Sequence, residues 1–130
     1  LVFLLDTNIC IDFIDGRSAT AQQRVREGFA NGLHVSTVTV GELLVGAKTS
    51  EDPQGDRMRI ERFLSVVTVH DFDRKAADAY AEIVRSIGVK RVSFDRLIAA
   101  HALALSLTLV TNNQKHFADV PGLKVENWTV

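Results

Sequence analysis

The chain has 130 residues, 46% of them hydrophobic, and its 15 lysines and arginines against 16 aspartates and glutamates leave a formal net charge of −1. That size and apolar content suit a single domain over residues 1–130 with a core of its own. The balanced charge excludes a global basic field, so any contact with nucleic acid has to use a local patch.

The one cysteine, Cys10, cannot close an intramolecular disulfide. Without a signal peptide or a run of about 18 apolar residues, a soluble, cytoplasmic protein with no membrane partner is expected. The chain opens on Leu1 rather than Met, so its native start is expected upstream.

In chain order, "LVFLL" (1–5) is short, apolar and stopped by Asp6, the pattern of a strand buried on both faces. A helical pattern, "TAQQRVREGFANG", then runs to Gly32, and "LHVST" (33–37) reads as the second strand. "TVGELLVGAKTS" opens a helix at Thr39 and "GDRMRIERFLS" carries a further set of helix formers. "SVVTVH" (65–70) is the third strand, "DRKAADAYAEIVRSIG" a helix ending on Gly88, and "SFDRLIAAHALAL" a helix rich in Ala and Leu. "LTLVT" (107–111) and "LKVEN" (123–127) complete the strands. Strands alternating with helices predict an α/β domain of three layers, with a mostly parallel central sheet and helices on both faces, because parallel strands need crossover connections.

In such sheets ligands gather at the carboxyl ends of the strands. Asp6 sits at one such end, and "TNN" (111–113) closes another. Glu42 and Asp95 fall near helix starts, so the predicted winding brings three carboxylates from distant parts of the chain to one rim. Carboxylates that converge raise one another's pKa and are stable together around a cation. With no Cys/His cluster to favour zinc, a hard, oxygen-preferring ion such as magnesium or manganese is the expected occupant.

Each acid also has a purely structural reading. Asp6 can cap the segment that follows it. Thr39 and Glu42 form T-x-x-E, a capping box in which the glutamate reaches back to the cap's own N–H. Asp95, two residues after Ser93, suits the positive end of a helix dipole. Residue types and spacing leave both readings open.

Three stretches carry a resemblance: "LLDTNICIDFI", "STVTVGELLVGA", and "DRLIAAHALALSLTLVTNNQKHFADVPGLKVENW". Together they resemble the PIN-domain ribonucleases of the VapC toxin type over nearly the whole chain, least so from Glu51 to Lys90. The resemblance implies a magnesium- or manganese-dependent endoribonuclease, usually a homodimer, restrained by a VapB-type antitoxin whose tail occupies the active site. It implies that Asp6, Glu42 and Asp95 hold the metal and that the hydroxyls of Thr7 and Thr111 orient these acids. There are two departures from the pattern. Asn113 stands where many PIN domains have a fourth acid, and Arg96 follows the helix acid where an aliphatic residue is expected.

Lys90, Arg91 and Arg96 near Asp95, with Lys115 and His116 after "TNN", are candidate contacts for an RNA backbone; the alternative is ordinary surface charge. His34, His70 and His101 lie within strand and helix patterns and are expected to be structural, and Cys10 to be packing. No G-x-S-x-G, H-E-x-x-H or Walker loop offers another chemistry. A phosphatase that uses an aspartate after its first strand would want a general acid where Asn8 stands. The remaining alternative is a catalytically inactive PIN-like module that binds RNA or a partner.

Overall fold

The computed structural model describes residues 2–90 and 93–130. The chain runs β1 (Phe3–Leu5), α1 (Thr7–Asp15), α2 (Ala19–Gly28), β2 (Leu33–Ser36), α3 (Thr37–Lys48), α4 (Pro53–Leu64) and β3 (Thr68–His70). It continues with α5 (Arg74–Ile87), α6 (Asp95–Leu105), β4 (Thr108–Val110) and β5 (Val125–Glu126), and 3-10 turns lie at Phe29–Asn31 and Gln114–His116. Every strand pairing among the described residues is parallel, in the order β3-β2-β1-β4-β5.

Side chains on a strand alternate between faces, and the apolar runs supply both. Leu5, Leu33, Val35 and Val110 pack with Ile9, Val25, Leu43, Ile60 and Phe63 of α1–α4, whereas Leu4 and Leu109 pack with Ile83 and Ile98 of α5 and α6 and with Phe117. The expected three layers follow from that division. The expectation of strands buried on both faces holds for β2, β1 and β4 but not for the edge strands, β3, where Val69 is exposed, and β5, where Val125 and Glu126 are half-buried. β3 is also shorter than "SVVTVH", because Ser65 ends α4, its N–H donating to the Glu61 carbonyl.

The sequence reading allows a helix over Thr7–Asp15 only through Asp6 as a possible cap, since "TNICIDFID" is built from residues of modest helix propensity. Its two ends and its buried face make it helical. Asp6 Oδ1 accepts from the Ile9 N–H at 2.9 Å, Gly16 takes the left-handed conformation at φ 67 and donates to carbonyls of the last turn, and Ile9 and Cys10 are buried.

From β1 the chain moves outward through β2 to β3, then returns to lay β4 on the other side of β1. The reversal puts the carboxyl ends of β1 and β4 beside each other at a topological switch point, where open α/β sheets leave a crevice. Asp6 and Thr111, each directly after its strand, stand at that crevice.

Candidate active site

Asp6 is 3% exposed, fixed between the end of β1 and the start of α1. Burial pushes its carboxyl up to about 6, and the charges of Asp95 and Asp12 add to this, against hydrogen bonds from the Thr111 hydroxyl and the Ile9 N–H. The resemblance gave Thr111 the role of orienting an acid, and its hydroxyl is the strongest influence holding the Asp6 carboxyl down against burial.

Glu42 does not close the capping box. Helix α3 begins two residues before Thr39, at Thr37, and is capped by Ser36, whose hydroxyl accepts from the Val38 N–H at 3.0 Å. Thr39 is therefore already inside the helix, and Glu42 is turned toward α1. There the Thr7 hydroxyl donates to Glu42 Oε1 at 2.6 Å and lies 3.1 Å from Thr39 Oγ1.

Asp95 is the first residue of α6, with its N–H donating to the Ser93 hydroxyl at 3.1 Å. Its carboxylate lies 3.2 Å from His116 Nδ1 and 3.6 Å from Lys90 Nζ, and Lys90 also donates to the His116 carbonyl at 3.1 Å. Asp6, Thr7, Asn8, Ile11, Glu42, Asp95 and Ile98 line one cavity of about 180 Å³. Three acids separated by up to 89 positions in sequence thus face a common space.

The donors there are carboxylate and hydroxyl oxygens, the set that suits a hard divalent cation. Among the described residues no three His, Cys, Asp or Glu side chains are arranged to hold a metal ion as they stand. Each acid is engaged with a neighbour: Asp6 with Ile9 and Thr111, Glu42 with Thr7, Asp95 with His116 and Lys90. The buried Asp6, destabilised in its charged form, is the group a cation would relieve, so the residues fit such an ion in kind.

The PIN domain family model matches residues 3–123. A protein of Shigella flexneri named tRNA(fMet)-specific endonuclease VapC is 38% identical over 133 residues, covering 99% of either chain. This chain belongs to the PIN domain family, among the VapC proteins. Two solved structures share its fold: the DNA-bound VapBC of Salmonella typhimurium, with a TM-score of 0.89, 33% identity and 98% of either chain covered, and VapBC2 of Rickettsia felis bound to a DNA fragment from their promoter, with 0.88, 31%, and 98% of this chain and 99% of that chain.

In this PIN domain Asn113 is not among the residues lining the acid cavity; its backbone N–H donates to the Thr111 hydroxyl at 3.0 Å. Arg96 does not join the surface cations. It is 7% exposed, and its guanidinium holds both carboxylate oxygens of Asp119 at 2.9 and 3.0 Å. Lys115 is exposed in the turn before Phe117, and Arg91 lies outside the described residues.

Cys10 is fully buried with its thiol pushed up by that burial, the His34 and His70 rings stack 4.8 Å apart, and His101 is buried with its ring 6.2 Å from that of His70, as expected of packing residues. Sequence reasoning missed Asn8, which lines the cavity, and the pair Asp12 and Asn112, in which Asn112 Nδ2 donates to Asp12 Oδ2 at 2.6 Å. Asn8 and Asp12 are four apart on α1 and so share a helix face, a signal visible only once Thr7–Asp15 is read as helical.

Proposed function

We propose that this chain, as a single PIN domain over 1–130, is a magnesium- or manganese-dependent endoribonuclease and the toxin of a type II toxin–antitoxin pair. The observation that carries this reading is the meeting of Asp6, Glu42 and Asp95 around one cavity at the switch point of a parallel sheet. That these acids, and not Asn113, line the cavity favours the cleaving protein over the inactive module.

Asp6, Glu42 and Asp95 would hold the ion. When bound, it supplies Lewis acidity toward a phosphodiester oxygen and lowers the pKa of the attacking water. The protein's own share is positioning. Asp6 is locked by the α1 cap, Glu42 is held by Thr7, and Lys90 brings positive charge beside Asp95, where a phosphate backbone would arrive, with the His116 imidazole next to it. No side chain has to act as nucleophile.

A VapB-type antitoxin is the proposed partner, in the cytoplasm, and the toxin is proposed to act as a homodimer. Beside the acid cavity lies a second one of about 280 Å³ between α1, α3 and α4, lined by Ile11, Ile14, Leu43, Ala47 and Ile60 among others, and Glu42 and Ile11 belong to both. An apolar segment of the partner laid there would end at the carboxylates, where an arginine makes charge-assisted bonds.

The test is cleavage of single-stranded RNA by the purified chain. Turnover should require magnesium or manganese, stop with EDTA and vanish in Asp6→Asn. RNA cleavage that survives both EDTA and Asp6→Asn would sink the reading. Expressed alone the chain should arrest growth, and co-expression of the antitoxin should relieve the arrest.

A further inference from the structure

Of the 7 phenylalanines, six are buried or half-buried, and Phe94 alone is exposed, at 51%. Phe3, Phe13, Phe29, Phe63 and Phe72 all meet another aromatic ring, and Phe117 is buried in the core beneath α6. Leaving a phenyl ring in water forgoes the burial that the other six obtain.

Local structure does not account for that ring. Phe94 caps α6 through its backbone, its carbonyl accepting from the Ile98 N–H at 3.0 Å, and its side chain makes no capping bond. Its position does point to a use. It directly precedes Asp95, whose carboxylate lines the acid cavity and gathers Lys90 and His116 around itself. An aromatic ring next in sequence to an acid of the proposed cleaving centre, with the Lys90 ammonium at that acid, offers what a single nucleic-acid strand requires: charge for its phosphates and a platform for a base, which every base can use because every base has a π-face.

We propose that Phe94 is a stacking platform for an RNA base next to the phosphodiester held at the acid cavity. The inference rests on the nuclease reading above and extends it from the phosphate to the base. It commits to a base of single-stranded RNA as the occupant, because the Lys90 ammonium at neighbouring Asp95 complements phosphate; a second copy of this chain is the competing occupant that the test must separate.

The experiment measures binding in the Asp6→Asn background, which keeps the RNA intact. The probes are a short labelled single-stranded RNA and an abasic ribose–phosphate strand of equal length. Phe94→Ala should weaken binding of the RNA about tenfold and leave the abasic strand unaffected, while Phe94→Tyr and Phe94→Trp restore the affinity. In Phe94→Trp the new indole should be quenched by RNA, and it is separable from buried Trp128 by its red-shifted emission. In the otherwise unaltered chain, Phe94→Ala should raise KM with kcat nearly kept.

Equal RNA affinity for Phe94→Ala and its parent overturns the platform while the nuclease reading stands. A loss of equal size on the abasic strand also overturns it, since no base is then involved. A change in oligomeric state with RNA affinity intact gives the ring to a second copy. A parent chain that neither binds nor cleaves RNA overturns the nuclease reading and the platform together.

Discussion

Asp6 and Glu42 on one side of the acid cavity are held by neutral groups, an amide N–H and threonine hydroxyls, whereas Asp95 on the other side is held by Lys90 and His116. Neutral partners fix a carboxylate without cancelling its charge, so the inner side keeps a negative field for a cation. A cationic partner cancels part of it, and at the outer side the Lys90 ammonium lies 3.6 Å from Asp95 Oδ2. On the proposed nuclease reading, one cavity would thereby be divided between ion and substrate. The division follows from the fold: the inner acids come from the carboxyl end of the central strand β1 and from α3, while Asp95 opens α6.

Removing charge from the inner side should have the largest effect. Glu42→Gln retains the acceptor for the Thr7 hydroxyl but loses the charge, and kcat should fall about a hundred- to a thousandfold, the usual cost of deleting one preorganised electrostatic group. Thr7→Val, which keeps the charge and loses only the tether, should cost far less. Equal losses in the two variants would mean that orientation rather than charge is what Glu42 provides. Steady-state kinetics on an RNA substrate, with melting temperatures to exclude unfolding, distinguishes these outcomes.

The inner side should also register in stability against pH. Burial raises the Asp6 carboxyl from 3.8 to about 6, so between those values the folded chain binds more protons than the unfolded one. This contribution is complete below about pH 4 and is lost as pH rises through about 6, amounting to at most about 3 kcal/mol. His34 and His101 work in the opposite direction, since burial lowers both and the fold loses stability as they become protonated. The difference between the parent and Asp6→Asn, measured by denaturant unfolding in EDTA, isolates the carboxyl: relative to Asp6→Asn, the parent should be less stable at pH 7 than at pH 4. Added manganese at pH 7 should reverse the deficit, because an ion bound only to the native state stabilises it. A difference that is flat with pH would mean that Asp6 is not held against ionisation.

The three central strands were legible because a short apolar run bounded by polar residues has few other meanings, and Asp6 was legible because it ends such a run. Glu42 was ambiguous for a local reason: T-x-x-E suits a capping box, and only the position of Ser36 as the true cap frees Glu42 to reach Thr7. Helix α1 could not be read from propensity, since its two caps and its buried face impose it. The links of longer range left no local mark. Asn112 meets Asp12 across 100 positions, and Arg96 meets Asp119 across 23.

That last pair sharpens the comparison, because it shows a cation next to Asp95 in sequence that serves the fold and not the cavity. Arg96 is buried, its Nε has no hydrogen-bond partner among the described residues, and Asp119 is half in solvent. Asp119→Ala leaves a buried guanidinium without its counter-ion and should cost about 1–3 kcal/mol. Arg96→Met replaces it with an apolar side chain and should cost less, since removing a buried charge outright is often nearly neutral. The ordering is the test, read from denaturant midpoints. An Arg96→Met variant much weaker than Asp119→Ala would place the value of Arg96 in contacts other than this pair.

The smallest expected effect is at the outer side. Lys90 lies 3.6 Å from Asp95 Oδ2 and is partly exposed, so it can either screen that carboxylate or meet an RNA phosphate. The two roles differ in their response to salt. A phosphate contact releases counter-ions, so its loss should weaken binding only a few-fold at moderate salt while reducing the slope of log affinity against log salt by about 0.7, the single-strand value for one phosphate. A screening role predicts an unchanged slope and a lower melting temperature, because Asp95 would be left with His116 alone. We expect the reduced slope for Lys90→Ala, since an exposed ion pair adds little to stability. Titration of labelled single-stranded RNA into Lys90→Ala and its parent, both in the Asp6→Asn background and at several salt concentrations, measures it directly. A slope equal to the parent's would remove Lys90 from the RNA surface and return it to the role of screening Asp95.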